Sequence, residues 1–263
     1  MTPAASRTTR SLAASDLSKH LDNRRWLWRS LPFPHLVAQQ VFVEHVYQEL
    51  EQSFREALVS EENRFARNMK GYDATGMLLG PHYRGPFEIF LSRAWHDMLA
   101  GVTGVNATGD VMASLHHHEP GSKSGRPHND LNPGWFVDSP RDDGVNIADA
   151  SLCSYEQGST SNGHKARATV RAVAVLFYIN NPPWSPGDGG ETGLYWSGCD
   201  PVDRPVAVVP PLNNSLLCFP CSPFSYHSFI HNRRHPRNSL TMWLHVALDE
   251  VRAQWGEQTI VGW

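Results

Sequence analysis

Two textures of apolar and polar spacing divide the chain near residue 109. Before it, apolar side chains recur at three- and four-residue steps. Over residues 38–59, Val43, Val46, Leu50, Phe54 and Ala57 fall on one stripe, which predicts an amphipathic helix. A second helix is predicted over about 87–100, with Phe87, Phe90, Leu91, Ala94, Trp95 and Met98 inward and Gly101 as its stop. After Gly109 the runs are short and β-like: 111–118, 170–180, 192–196, 205–209, 215–219, 226–230 and 238–248. Turn clusters at 180–183, 186–190 and 212–214 separate several of them. Many short strands with such punctuation predict a β-sandwich or barrel with the helices packed outside. Residues 131–169 break the pattern, being polar with no clear period. A loop of that length inside a domain points to function or disorder.

Length and composition bound what this can be. The 263 residues suffice for one domain with a large core. The organisation expected is a flexible tail over 1–30 and a single domain over 31–263. That domain has a helical part at 36–101, a β core at 110–248 and an insertion at 131–169. No apolar run reaches the roughly 18 residues a bilayer span needs, so no membrane partner is expected. The net charge of −3, with no Lys/Arg block, argues against a nucleic-acid-binding face. Four cysteines in a chain this long make no disulfide scaffold and suit a reducing, cytoplasmic setting. Residues 1–15 carry Arg, Ser and Thr but no acid, as transit peptides do; a disordered tail is the reading preferred. Oligomeric state is not readable from the sequence.

The count that redirects attention is 14 His, which makes a metal site worth seeking. In Arg126-Pro127-His128-Asn129-Asp130, the His and Asp are two apart, and on an extended segment both reach one side. Alone the signal is weak, since His20 and Asp22 repeat it by chance. The far end strengthens it. His227 stands ten residues before Arg237, which heads a predicted strand. Two His and one carboxylate can occupy one face of an octahedral iron and leave three positions open. A keto acid would fill two of them, and its far carboxylate would need a fixed cation. Arg237 offers a planar fork, and Ser239 adds a hydroxyl two residues on.

Five pieces in order now carry a resemblance: His128-Asn129-Asp130, Leu176-Phe177-Tyr178-Ile179-Asn180, Asp188-Gly189-Gly190-Glu191-Thr192-Gly193-Leu194, Tyr226-His227 and Arg237-Asn238-Ser239-Leu240. Over roughly residues 110–248 the chain resembles the iron(II)- and 2-oxoglutarate-dependent oxygenases of the prolyl-hydroxylase-like type. The resemblance implies a mainly β fold with flanking helices and a double-stranded β-helix (jelly-roll) core. It implies Fe(II) held by His128, Asp130 and His227, with 2-oxoglutarate and O2 as co-substrates and ascorbate as an aid in vitro. It also implies that Tyr178 points at 2-oxoglutarate. The reaction implied consumes O2 and the keto acid, releases carbon dioxide and succinate, and hydroxylates a substrate carbon. Two departures stand out. The segment between the metal motif and residue 170 is long, and His116-His117-His118 stand where relatives often have an aromatic.

Competing readings sit beside these. His231 could replace His227 as ligand, although it lies only six residues before Arg237. Arg237 could be a surface ion-pair partner, and Tyr178 a core aromatic. A cupin-like His-x-His site at His116 and His118 would want its Glu later than Glu119; these two are instead expected to line the substrate pocket. Cys218 and Cys221 lack the second pair a zinc ribbon requires. The insertion, with Trp135 and Phe136 among four glycines, reads as a lid over substrate, or else as a solvated insertion packed outside the barrel. The substrate expected is a small molecule such as an amino acid or biosynthetic metabolite. A peptide or protein side chain is the alternative, and a catalytically dead binding module a third. Asp130 argues against halogenation, because halogenases of this general type lack the carboxylate.

Overall fold

The computed structural model describes residues 16–60, 65, 73–161 and 163–262. Its strands, in chain order, are β1 (Leu27–Arg29), β2 (His35–Gln39), β3 (Thr75–Leu78), β4 (Asp110–His118), β5 (Pro133–Val137), β6 (Asn146–Ile147), β7 (Ala166–Tyr178), β8 (Thr192–Leu194), β9 (Ala207–Val209), β10 (Ser215–Pro220), β11 (His227–Phe229) and β12 (Arg237–Ala247). The helices are α1 (Glu44–Val59), α2 (Arg93–Thr103) and α3 (Leu248–Trp255). The chain is mainly β with flanking helices, a large sheet facing a small one as in a jelly roll.

The large sheet runs β1-β2-β10-β7-β12-β4-β3, with β5 added beside the start of β7 and β6 beside the start of β4. The small sheet is β11-β8-β9. Strand alternation sorts the large sheet's side chains onto two faces. Val173, Val175 and Phe177 of β7, with Leu240, Met242 and Leu244 of β12, turn to the helices. Ala174, Leu176 and Tyr178, with Trp243, Leu217 and Phe219, turn to the small sheet. Both faces are covered, so β7 reads as a continuous apolar run. On the helix side Phe42, Phe90, Trp95 and Phe177 interlock with centroids 5.0–5.5 Å apart, mostly edge to face.

Helix α1 buries Val46, Tyr47, Leu50 and Phe54 on the expected stripe, but begins at Glu44, because residues 36–39 pair with β10 instead. The second predicted helix is a 3-10 turn at Pro86–Leu91 followed by α2, capped by the Ser92 side chain. It runs through Gly101 and stops at Gly104, whose φ of 70° is the left-handed cap that glycine favours. Ala94 is exposed, and Leu99 takes the inward place.

Two expectations need correction. The tail expected over 1–30 is structured from residue 16: Leu17–Lys19 form a 3-10 turn and Leu27–Arg29 pair with β2. Residues 1–15 lie outside the described residues. The 131–169 segment is not one loop. Its β5 pairs antiparallel with 166–170 of β7, and β6 pairs parallel with the start of β4. Phe136, expected on a lid, is 2% exposed. The alternation here spans only five residues, too few to stand out from a polar background. Among the described residues no helix is long and apolar enough to cross a membrane.

Candidate active site

His128 and His227 are brought together by backbone pairing. Their main chains form an antiparallel bridge, with N–H···O distances of 3.0 and 2.9 Å. Each Nδ1 lies 2.9–3.0 Å from the carbonyl of the residue two before it, Arg126 and Ser225 respectively. Nδ1 therefore carries the proton, and each Nε2 presents a lone pair. Those nitrogens lie 3.6 and 3.5 Å from the two carboxylate oxygens of Asp130. One ligand atom from each of the three residues falls within 4.8 Å of the others.

Asp130 does not reach the site by simple strand alternation, as the spacing suggested. Its φ is +62°, a left-handed turn that swings the carboxylate back towards the histidines. Arg171 donates to Oδ1 at 3.0 Å and the Trp243 indole N–H donates to Oδ2 at 2.8 Å. Burial works to raise the Asp130 pKa, but the Arg171 guanidinium overcomes it and holds the carboxyl ionised well below its usual range. Burial presses His128 down to about 4, which keeps the ring neutral and able to ligate. This donor set, two imidazoles presenting Nε2 and one carboxylate with its outer lone pairs occupied, fits ferrous iron.

A cavity of about 520 Å³ opens beside these groups. Arg237 lies on its wall, 3% exposed. The guanidinium donates to Ser239 Oγ at 2.8 Å and Thr192 Oγ1 at 3.3 Å, while its Nε has no partner. Among the described residues it makes no ion pair, so the surface-salt-bridge reading falls. A buried cation supported only by hydroxyls and by the rings of Tyr178 and Phe229, 5.1 and 5.7 Å away, is chemically suited to receive an anion.

Other expected residues are placed less directly. Ser239 is fully buried behind Arg237. Tyr178 does not line the cavity; its hydroxyl pairs at 2.8 Å with Thr192, which does. His116 and His118 line the cavity at the Arg237 end, being the cross-strand partners of Ser239 and Arg237. His116 bonds Ser114 at 2.6 Å, and His118 stacks on Phe229 at 3.9 Å. Trp135 and Phe136 are not in the cavity wall. His231 faces away, its Nδ1 held 2.8 Å from the Ser122 carbonyl.

A family model of the 2OG-Fe(II) oxygenase superfamily matches residues 150–245. The stretch contains Tyr178, His227, Arg237 and Ser239. Over that stretch the chain matches the 2OG-Fe(II) oxygenase superfamily. The oxygenase is a non-haem iron dioxygenase dependent on 2-oxoglutarate and O2, and its fold is that of prolyl hydroxylases. It is similar to a prolyl-4-hydroxylase of Pseudomonas putida, with TM-score 0.52 and 19% identity over 88% of this chain and 95% of that one. It is also similar to a prolyl hydroxylase of Trichoplax adhaerens in complex with a peptide fragment of the hypoxia inducible factor oxygen degradation domain. There the TM-score is 0.54, with 17% identity over 84% of this chain and 86% of that one. No curated protein sequence matches the chain.

Sequence reasoning missed Arg171, Thr192, Thr241 and Trp243, all in the cavity wall. One signal was available: Arg171 is the sole charge in the apolar run from 170 to 178. A β-bulge in the β7–β12 pairing, where Leu244 faces Val173 but His245 faces Arg171, turns it to the cavity side.

Proposed function

We propose that the oxygenase hydroxylates an unactivated C–H bond of a small molecule, such as an amino acid or biosynthetic metabolite, in the cytoplasm. His128, Asp130 and His227 hold iron, which when bound supplies the activation of O2. Arg237 grips the far carboxylate of 2-oxoglutarate. Thr192 lies beside it, while Ser239 and Tyr178 fix the guanidinium and Thr192 from behind. His116 and His118 then belong to the co-substrate's end of the cavity, and the substrate approaches from the end lined by Arg126, Asn132 and Tyr226. The observation that carries the co-substrate's placement is the buried guanidinium with no anion of its own. The small-molecule reading is supported by a cavity of about 520 Å³, inside the roughly 300–1,000 Å³ range of small-ligand sites. The cytoplasmic setting is supported by four free cysteines, three of them buried.

A second reading, oxidation of a side chain within a peptide, is favoured by two exposed rings. Trp196 and Phe224 are 55% and 62% exposed and stand two residues from Gly198 and Tyr226 of the cavity wall. A bound peptide could lie across them. The test is succinate release with Fe(II), ascorbate and 2-oxoglutarate over matched panels of free amino acids, metabolites and proline-containing peptides. Turnover stimulated only by peptides would displace the small-molecule reading.

A further inference from the structure

Behind Asp130 a buried polar chain leads away from the cavity into the 131–169 insertion. Arg171 sits over the Trp243 ring, its guanidinium carbon 3.6 Å from the ring centroid. Its NH1 donates to Asp130 at 3.0 Å and its Nε donates to the Tyr155 hydroxyl at 3.0 Å. The Tyr155 oxygen accepts from Arg171, so its proton goes to His245 Nε2, 2.7 Å away. His245 Nδ1 then donates to the Asp110 carbonyl at 3.2 Å. Each link pairs a donor with an acceptor, and one direction of donation runs through Arg171, Tyr155 and His245.

We infer that the insertion braces the metal centre: Tyr155 is a positioning residue that sets Arg171 and, through it, the carboxylate of Asp130. The inference rests on Asp130 as an iron ligand. The packing around Tyr155 is built for this contact. Gly134 of β5 passes so close that a Cβ there would stand 2.7 Å from the Tyr155 ring and 2.9 Å from His245 Nε2. Phe136 meets Tyr155 and His245 edge-on, at 5.7 and 4.8 Å. The Trp135 N–H holds the Tyr155 carbonyl at 2.9 Å. The far side of the insertion is tied down by Asp110, which receives both Arg167 guanidinium nitrogens at 2.7 Å and Asn146 at 2.8 Å. Burial holds His245 neutral, its pKa down to about 3, and raises Tyr155 to about 12, so both keep the protonation the chain needs. Outer partners of this kind orient a ligand and set how well it binds metal.

The test is Mn(II) affinity of the full-length apoprotein, titrated without 2-oxoglutarate, together with the ligand-field absorption of its Co(II) form. Tyr155→Phe keeps the ring against Gly134 and Phe136 and removes only the hydroxyl. It should weaken Mn(II) binding roughly tenfold and alter the Co(II) bands, with the apoprotein's melting temperature little changed. Arg171→Lys loses the fork, so Tyr155→Phe should add nothing further in that background. Unchanged Mn(II) affinity and Co(II) bands in a folded Tyr155→Phe protein, or additive effects in the double variant, overturn the brace. Should Tyr155→Phe fail to fold, His245→Gln, which replaces the acceptor of the Tyr155 proton, must weaken Mn(II) binding for the inference to stand. Asp130→Ala separates the levels. Loss of Mn(II) there with no change in Tyr155→Phe refutes the brace alone, whereas Mn(II) retained by Asp130→Ala refutes the ligand assignment itself.

Discussion

Replacing Arg237 with Gln should abolish tight 2-oxoglutarate binding without loosening the metal. The side chain is 3% exposed, its NH1 and NH2 meet only neutral hydroxyls, and its Nε is unpaired. Burial accordingly lowers its pKa, an adverse setting for a cation. A carboxylate arriving at this point gains a charged, forked partner on a side chain that is itself buried. Truncating one member of such a pair costs about 2–5 kcal/mol. Ser239 and Thr192 would still offer hydroxyls, which places the loss in the lower half of that range, about 30- to 300-fold in affinity. The assay is calorimetric titration of 2-oxoglutarate into Mn(II)-loaded protein under nitrogen, which reads binding without turnover. The apoprotein should melt no lower than wild type, since the substitution removes an unpaired buried charge. Arg237→Lys should fall between, keeping charge but losing the fork. A folded Arg237→Gln protein that binds 2-oxoglutarate as wild type does would refute the reasoning.

Three further outcomes are expected. His227→Ala should lose Mn(II) while His231→Ala keeps it, as equilibrium dialysis would show; the reverse would mean the wrong histidine has been chosen. Gly189→Ala should destabilise the fold by at least about 2 kcal/mol in urea unfolding, because φ is +80° and a Cβ would strike the His231 carbonyl oxygen. An Ala there with wild-type stability would contradict the turn geometry. Acid should unfold the protein partly through His116 and His245, which burial pushes down to about 3 each. Below the unfolded value near 6.5 the unfolded chain binds more protons. Their contribution is therefore intact above about pH 6.5 and is lost by up to about 1.4 kcal/mol per pH unit per histidine as pH falls. Urea midpoints measured downward from neutral pH should show this slope, and His116→Gln should flatten it.

Much of the β core was legible because each strand is a local run bounded by turn residues. The runs at 111–118, 215–219 and 238–248 match β4, β10 and β12 to within about two residues. The Asp188-Gly189-Gly190 motif also has a local cause. Both glycines have positive φ, Gly190 N–H reaches the Ile230 carbonyl, and Gly190 packs against Arg237. The strands β1, β2, β3, β5 and β6 were not legible. They are short or polar, and they exist because an edge of β2, β4, β7 or β10 was open to pair with them.

By itself, then, the sequence determined the ligand types, their order and the alternation that sorts two faces of a sheet. These depend on side-chain chemistry and on a period of two, and both are local properties. The tertiary structure alone decided which groups support them. Asp130 enters the site by a left-handed turn, not by alternation. Arg171 faces the cavity only because a bulge shifts its strand by one residue. Tyr155, expected on a polar loop, contacts Arg171 and His245 across 16 and 90 residues of sequence. Contacts at such separations are set by strand register and packing, and no pattern within a short window of sequence encodes them.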